Sequence, residues 1–265
     1  MTAELLELVA LLLLALAIAS GTVALIVVHR HWRLVVLGAR LGALGLLLAA
    51  LVVSVVTQDQ WSPFDLHQLS ISIAIASLAA GLVLFRAWDL PVPDPVLDLT
   101  VLAIVLVRLS VIRPGGPVLS CAQRDILFGA QWALFVLGAA GSIVAAATAL
   151  GWVARSVPRL RALHWAAPGD LFRPLHAAVL VTLLSVGAGL LLGIVWAWRT
   201  YGTLAGGDPR QGWMASIWLW AAMSLVSWQL DRGNRWWASI FAGIAGAAVL
   251  FGLLAILDLQ RLWGL

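Results

Sequence analysis

Leu175-His-Ala-Ala-Val-Leu-Val-Thr-Leu-Leu-Ser-Val-Gly-Ala-Gly-Leu-Leu-Leu-Gly-Ile-Val-Trp-Ala-Trp198 runs for 24 residues without one Asp, Glu, Arg or Lys. As a helix rising about 1.5 Å per residue it spans about 36 Å, enough to cross a hydrocarbon core of about 30 Å. Its apolar residues form an unbroken block, whereas a strand of an outer-membrane barrel alternates apolar and polar positions. The same block recurs along the chain. Spans are expected at Leu5–Val28, Leu34–Val56, His67–Arg86, Val96–Ile112, Ile126–Val153, Leu175–Trp198, Trp213–Leu230 and Trp236–Leu257. The longest connection, Ala154–Pro174, has room for a short surface helix at most. The sequence therefore reads as an all-α polytopic membrane protein of about eight transmembrane helices, with residues 1–265 a single integral membrane domain.

Composition agrees. Of 265 residues, 63% are hydrophobic and 11% charged, against about 45–50% and about 25% in soluble domains. The first apolar segment continues past residue 25, longer than the cleaved core of about 7–15 residues in a signal peptide, so a span is expected there. One cysteine, Cys121, excludes an internal disulfide and a thiolate metal cluster. The basic residues are all Arg, 16 against 12 Asp and Glu, and no run of them is dense enough to track phosphates, so nucleic acid is not expected as a partner. Membrane lipid is.

Arginine instead sets orientation through the positive-inside rule. One side holds Arg30, Arg33, Arg86, Arg155, Arg159, Arg161, Arg173, Arg232 and Arg235; the other holds Arg113, Arg124, Arg199, Arg210 and Arg261. Nine against five places both termini and the 199–211 loop outside. The all-Arg, Ala- and Leu-rich composition points to a bacterial inner membrane. Arg40 and Arg108 fall within spans but near their ends, so snorkelling to the interface is expected. Nine of the 15 Trp follow residue 195. Trp196, Trp198 and Trp213 are expected in an outer aromatic belt and Trp236 and Trp237 in an inner one, while Trp218 and Trp220 lie deeper.

The loop after the sixth span reads Arg199-Thr-Tyr201-Gly202-Thr-Leu-Ala205-Gly-Gly207-Asp208-Pro209-Arg210-Gln211-Gly-Trp213. Taken physically it contains a helix start. Asp208 can cap, Pro209 suits the first helical position, and Gln211 can reach back to the cap amide.

Its spacing also resembles the tryptophan-rich signature of the cytochrome c assembly family, heme-handling membrane proteins of the CcsA and CcmC type. The family loop runs approximately Trp-Gly-x-Tyr-Trp-x-Trp-Asp-Pro-Lys-Glu-x-Trp, with another Trp five residues on. Tyr201-Gly202, Asp208-Pro209-Arg210-Gln211, Trp213 and Trp218 keep its register without insertion or deletion. Gly193-Ile-Val-Trp196 upstream and Val249-Leu-Phe251 downstream are similar as well. The resemblance is stronger over 175–257 and weaker over 1–174, where it rests on the eight-span plan and on Pro63…His67-Gln68.

The resemblance implies heme bound or presented at the outer face, apocytochrome c as recipient and a second membrane subunit as partner. Trp198, Tyr201 and Trp213 would form the aromatic shelf for the porphyrin, Arg199 and Arg210 would pair with its propionates, and His67, the one histidine expected outside, would be the axial ligand. Ala205 and Gly207 stand where the family has tryptophans, and no histidine lies near Arg124 or Trp263, where the family has its ligands. Without Cys-x-x-Cys-His, covalent heme attachment is excluded, and no catalytic or other metal-binding constellation is present. The alternative reading is an accessory or structural transmembrane subunit of a larger complex that has lost heme ligation. A transporter or proton-coupled enzyme ranks third, since no span repeats Asp, Glu or His.

Overall fold

In hydrocarbon a peptide group must find its hydrogen bond within its own segment, so apolar blocks of this length fold as helices. The computed structural model describes residues 3–26, 30–58, 65–87, 95–111, 126–156, 168–203, 209–230 and 235–263. Among them lie eight helices: α1 (Ala3–Ile26), α2 (Arg30–Gln58), α3 (Leu66–Ala87), α4 (Pro95–Val111), α5 (Ile126–Ser156), α6 (Pro168–Tyr201), α7 (Pro209–Leu230) and α8 (Trp236–Trp263). No strand occurs among the described residues. The fold is all-α, and α1, α2, α3, α5, α6 and α8 are long and apolar enough to cross a membrane. Two of the eight expected spans fall short of that standard. α4 has only 17 residues, and α7 carries Arg210, Gln211 and Gln229 among its apolar residues.

Local chemistry explains where these helices begin. Pro95, Pro168 and Pro209 each occupy a first helical position, where the absent N–H is lost at no cost. α3 starts behind Asp65, whose Oδ1 accepts the His67 amide at 2.9 Å. Two boundaries differ most from the expected spans. α6 opens at Pro168 rather than after Pro174, which lies inside it; the lost bond is offset because Leu171 is buried and Phe172 packs against Trp152 and Trp228. α8 continues past Leu257 to Trp263 because Asp258, Gln260 and Arg261 are polar without breaking a helix.

Packing divides the eight helices into two groups of four. In the first, α1, α2, α3 and α4 pack in a ring, each against two neighbours; α5, α6, α7 and α8 repeat that order, and the groups meet mainly where α3 lies on α5. The most extensive contact is between α5 and α6. The side chains of Val186, Thr182 and Phe135 fill the space that a Cβ would need at Gly138, Gly141 and Gly189 respectively, the small-residue contact that lets membrane helices interlock. Outward-facing Leu12, Val56, Leu184, Leu191 and Phe251 are exposed, as lipid-facing side chains are.

Contacts between helix ends fix their alternation. Glu7, His67, Arg108, Phe128, Trp196 and Trp213 belong to one face, which also carries both ends of the described chain; Trp152, Phe172, Trp228 and Trp236 belong to the other. We call these the near and far faces.

Arg40 and Arg108 do not snorkel. The Arg40 guanidinium clamps Asp98 through two bonds, Nε to Oδ1 at 2.7 Å and Nη2 to Oδ2 at 2.8 Å, with both side chains buried. Arg108, fully buried, pairs with Glu7 and donates through Nε to the His67 carbonyl at 2.9 Å. A carboxylate meets each cation inside the bundle, Asp98 across the ring from Arg40 and Glu7 on the adjacent α1 for Arg108, so neither has to reach the interface.

Candidate functional site

The sequence carries its aromatic signal on the α6–α7 connection, but the site is assembled on α5. Phe128, Gln131, Trp132 and Phe135 lie at helical spacing i, i+3, i+4 and i+7, so they form one stripe. Phe135 fits against Gly189 and Gln131 against Gly193, and the Phe128 ring lies 4.8 Å from that of Trp196. Tyr201 closes on the other side of Trp196, edge-on at 5.5 Å. From α7, the Arg210 guanidinium stands 5.9 Å over the Trp132 ring. Tyr201 and Arg210, from the two ends of the loop, therefore meet one near-face cluster of three buried rings, Phe128, Trp132 and Trp196.

The other motif residues have separate environments. Gly202 takes φ +69°, and its amide bonds the Trp198 carbonyl at 3.0 Å; this left-handed residue ends α6 where a side chain would be strained. Trp198 is 59% exposed and Tyr201 53%, while Arg199 is also exposed. Trp196 differs from the expected belt: at 5% exposure it is part of the core. Trp213 lies against Gly252 and donates through Nε1 to the Ala248 carbonyl at 2.8 Å, which ties α7 to α8. Trp218 packs on Gly187, and Trp220 stacks on Phe241 at 5.8 Å. Pro209 opens α7 at the expected position. Asp208 lies outside the described residues, so the expected cap and the reach of Gln211 toward it do too, as does Cys121.

His67 is the residue whose surroundings bear most on heme. It lies on the near face, but it is 5% exposed, and Arg108 Nη2 stands 2.9 Å from its Nδ1 and 2.8 Å from its Nε2. Buried and held against Arg108, the ring is not presented at the near-face surface. Among the described residues no group of three or more His, Cys, Asp or Glu is placed to hold a metal ion. The described side chains gathered around Trp196 include no histidine, cysteine or methionine, the common axial donors to heme iron; Tyr201 is the one among them of a type that ligates it.

Phe128 and Trp132 were not among the expected site residues. The signal was present as the i, i+3, i+4, i+7 stripe, but in an apolar chain such a stripe reads as ordinary core until a partner helix gives it a face. Comparison with protein-family models, with curated proteins and with solved structures finds no match for this chain.

Proposed function

We propose that this protein handles heme at its near face, holding the porphyrin against the exposed Trp198 and Tyr201 side chains and pairing its propionates with Arg210, as the resemblance to the cytochrome c assembly family implies. One observation supports this reading above the others: Tyr201 and Arg210, at opposite ends of the loop, converge on a single cluster formed by Phe128, Trp132 and Trp196. Guanidinium–carboxylate pairing suits propionates, and the exposed Trp198 and Tyr201 side chains suit the ring. Because His67 is held by Arg108, the reading is of transient carriage or presentation rather than tight axial ligation. Apocytochrome c is the recipient and a second membrane subunit the partner. The near face is then the outside of a bacterial inner membrane, with both termini and the 199–211 loop on it.

Protein purified in detergent from heme-replete cells is expected to show a Soret band and a pyridine-hemochrome signal. Losing one charge-assisted bond removes about 1.5–3 kcal/mol, so Arg210→Gln should weaken heme retention by about 10-fold or more. Tyr201→Ala should weaken it as well, and His67→Ala should leave the band in place. The second reading, an accessory subunit without heme, is favoured by the same closure of His67. A colourless wild-type preparation decides for it.

Orientation has a separate test. Cys121, the only thiol in the sequence, lies between the fourth and fifth expected spans, on the outer side. A membrane-impermeant maleimide should label it in spheroplasts, and labelling only after lysis would reverse the orientation.

A further inference from the structure

The far face carries a second aromatic cluster that the near-face reading leaves unused. Trp236, Trp152, Phe172 and Trp228, from four helices, lie with ring centroids 5.5–5.6 Å apart in successive pairs, and the His176 ring lies 4.9 Å from Trp228. Into this cluster the chain inserts Arg235. Its Cζ lies 4.5 Å over the Phe172 ring and 4.4 Å over the Trp228 ring. To do so the backbone adopts φ +46°, the only left-handed non-glycine residue among those described. Such a conformation costs about 1–3 kcal/mol and persists only where the surroundings impose it.

The two rings stand at 81° to each other with centroids 5.5 Å apart, so the guanidinium packs into the corner they form and keeps N–H donors for an acceptor outside it. Among the described residues those donors make no hydrogen bond and no ion pair. The position also says where an acceptor would come from. The apolar part of α8 runs Trp236–Ala255, so Arg235 stands at its end, and Trp237 beside it is 56% exposed, as interfacial tryptophans are. A planar cation held rigidly at that depth faces the level of phospholipid phosphates.

We propose that Arg235, fixed between Phe172 and Trp228, is a phosphate-binding site that anchors a phospholipid headgroup at the far face. The rings fix the cation, so less side-chain freedom is lost when the phosphate binds. Lysine has the charge but neither the planar fork nor the stack.

The test is thermal unfolding of the full chain in delipidated detergent, with and without added phosphatidylglycerol. A lipid present at about 100 times its dissociation constant should raise the wild-type melting temperature by about 5 °C or more. Arg235→Gly is the informative variant, because glycine adopts φ +46° without strain. It should melt within about 3 °C of wild type without lipid and lose the lipid-induced rise. Arg235→Lys should keep less than half of it, and serves alone if the glycine variant fails to fold. Diacylglycerol, which lacks phosphate, should produce no rise in any form. Inorganic phosphate separates the two sources of the group: a rise equal to that with phosphatidylglycerol would assign free phosphate and overturn the lipid. An unchanged rise in Arg235→Gly, or in Arg235→Lys where the glycine variant does not fold, or an equal rise with diacylglycerol, overturns the site.

Discussion

Arg108→Ala is expected to lower the melting temperature of the detergent-solubilised protein by about 10 °C, and Glu7→Ala by a similar amount. Arg108 and Glu7 are both fully buried, and they pair across α4 and α1. Removing one partner leaves the other charge in the bundle without compensation, which costs about 3–5 kcal/mol, and each kcal/mol shifts a chain of this size by about 2–4 °C. The double variant Glu7→Leu/Arg108→Leu should be less destabilised than either single change, because two apolar side chains replace two charges that otherwise have to be desolvated. The measurement is the double-mutant cycle. Additive losses would mean that the two residues act separately. Arg108 also donates to the His67 carbonyl and stands against its ring, so the double variant should not recover wild-type stability in full. That residue of destabilisation measures what His67 contributes.

This pair also marks the limit of what the sequence discloses. Helices follow from local information: a block of apolar residues, a proline at Pro95, Pro168 or Pro209, a capping carboxylate at Asp65. Each is legible within a few residues. That Glu7 meets Arg108 depends on α1 lying beside α4, which no pattern within either helix encodes. Read singly, Arg108 near a helix end is a snorkelling residue and Glu7 a polar start; only the bundle makes them partners. The same holds for the site. Tyr201, Arg210 and Trp213 stand out because they keep a spacing, whereas Phe128 and Trp132 join them only once Gly189 and Gly193 let α5 approach α6. Pro174 misleads in the opposite direction. It ends a helix by local rules, yet Leu171 and Phe172 have core contacts that hold the turn before it in place.

The second large effect is expected at Trp213, and it separates the motif into parts with different work. If Trp213 belongs to a porphyrin shelf, its removal should cost heme and little stability. Its position argues otherwise. The indole occupies the space over Gly252 that any Cβ would enter, and Nε1 is committed to the Ala248 carbonyl at 2.8 Å. Trp213→Ala opens a cavity between α7 and α8 and is expected to destabilise by about 3–5 kcal/mol, a loss of about 10 °C in melting temperature. Trp213→Phe keeps much of the ring but not the N–H donor, and should lose about 1–2 kcal/mol. Gly252→Val attacks the same contact from the other side. Its Cβ meets the indole directly, so α7 and α8 must separate or the ring must leave, and a loss comparable to Trp213→Ala is expected even though no contact of the wild-type protein is deleted. Combining Gly252→Val with Trp213→Ala supplies the discriminating result. The valine then partly fills the cavity left by the indole, so the pair should be more stable than the sum of its parts. Destabilisation that simply adds would place the indole elsewhere and return Trp213 to the heme shelf.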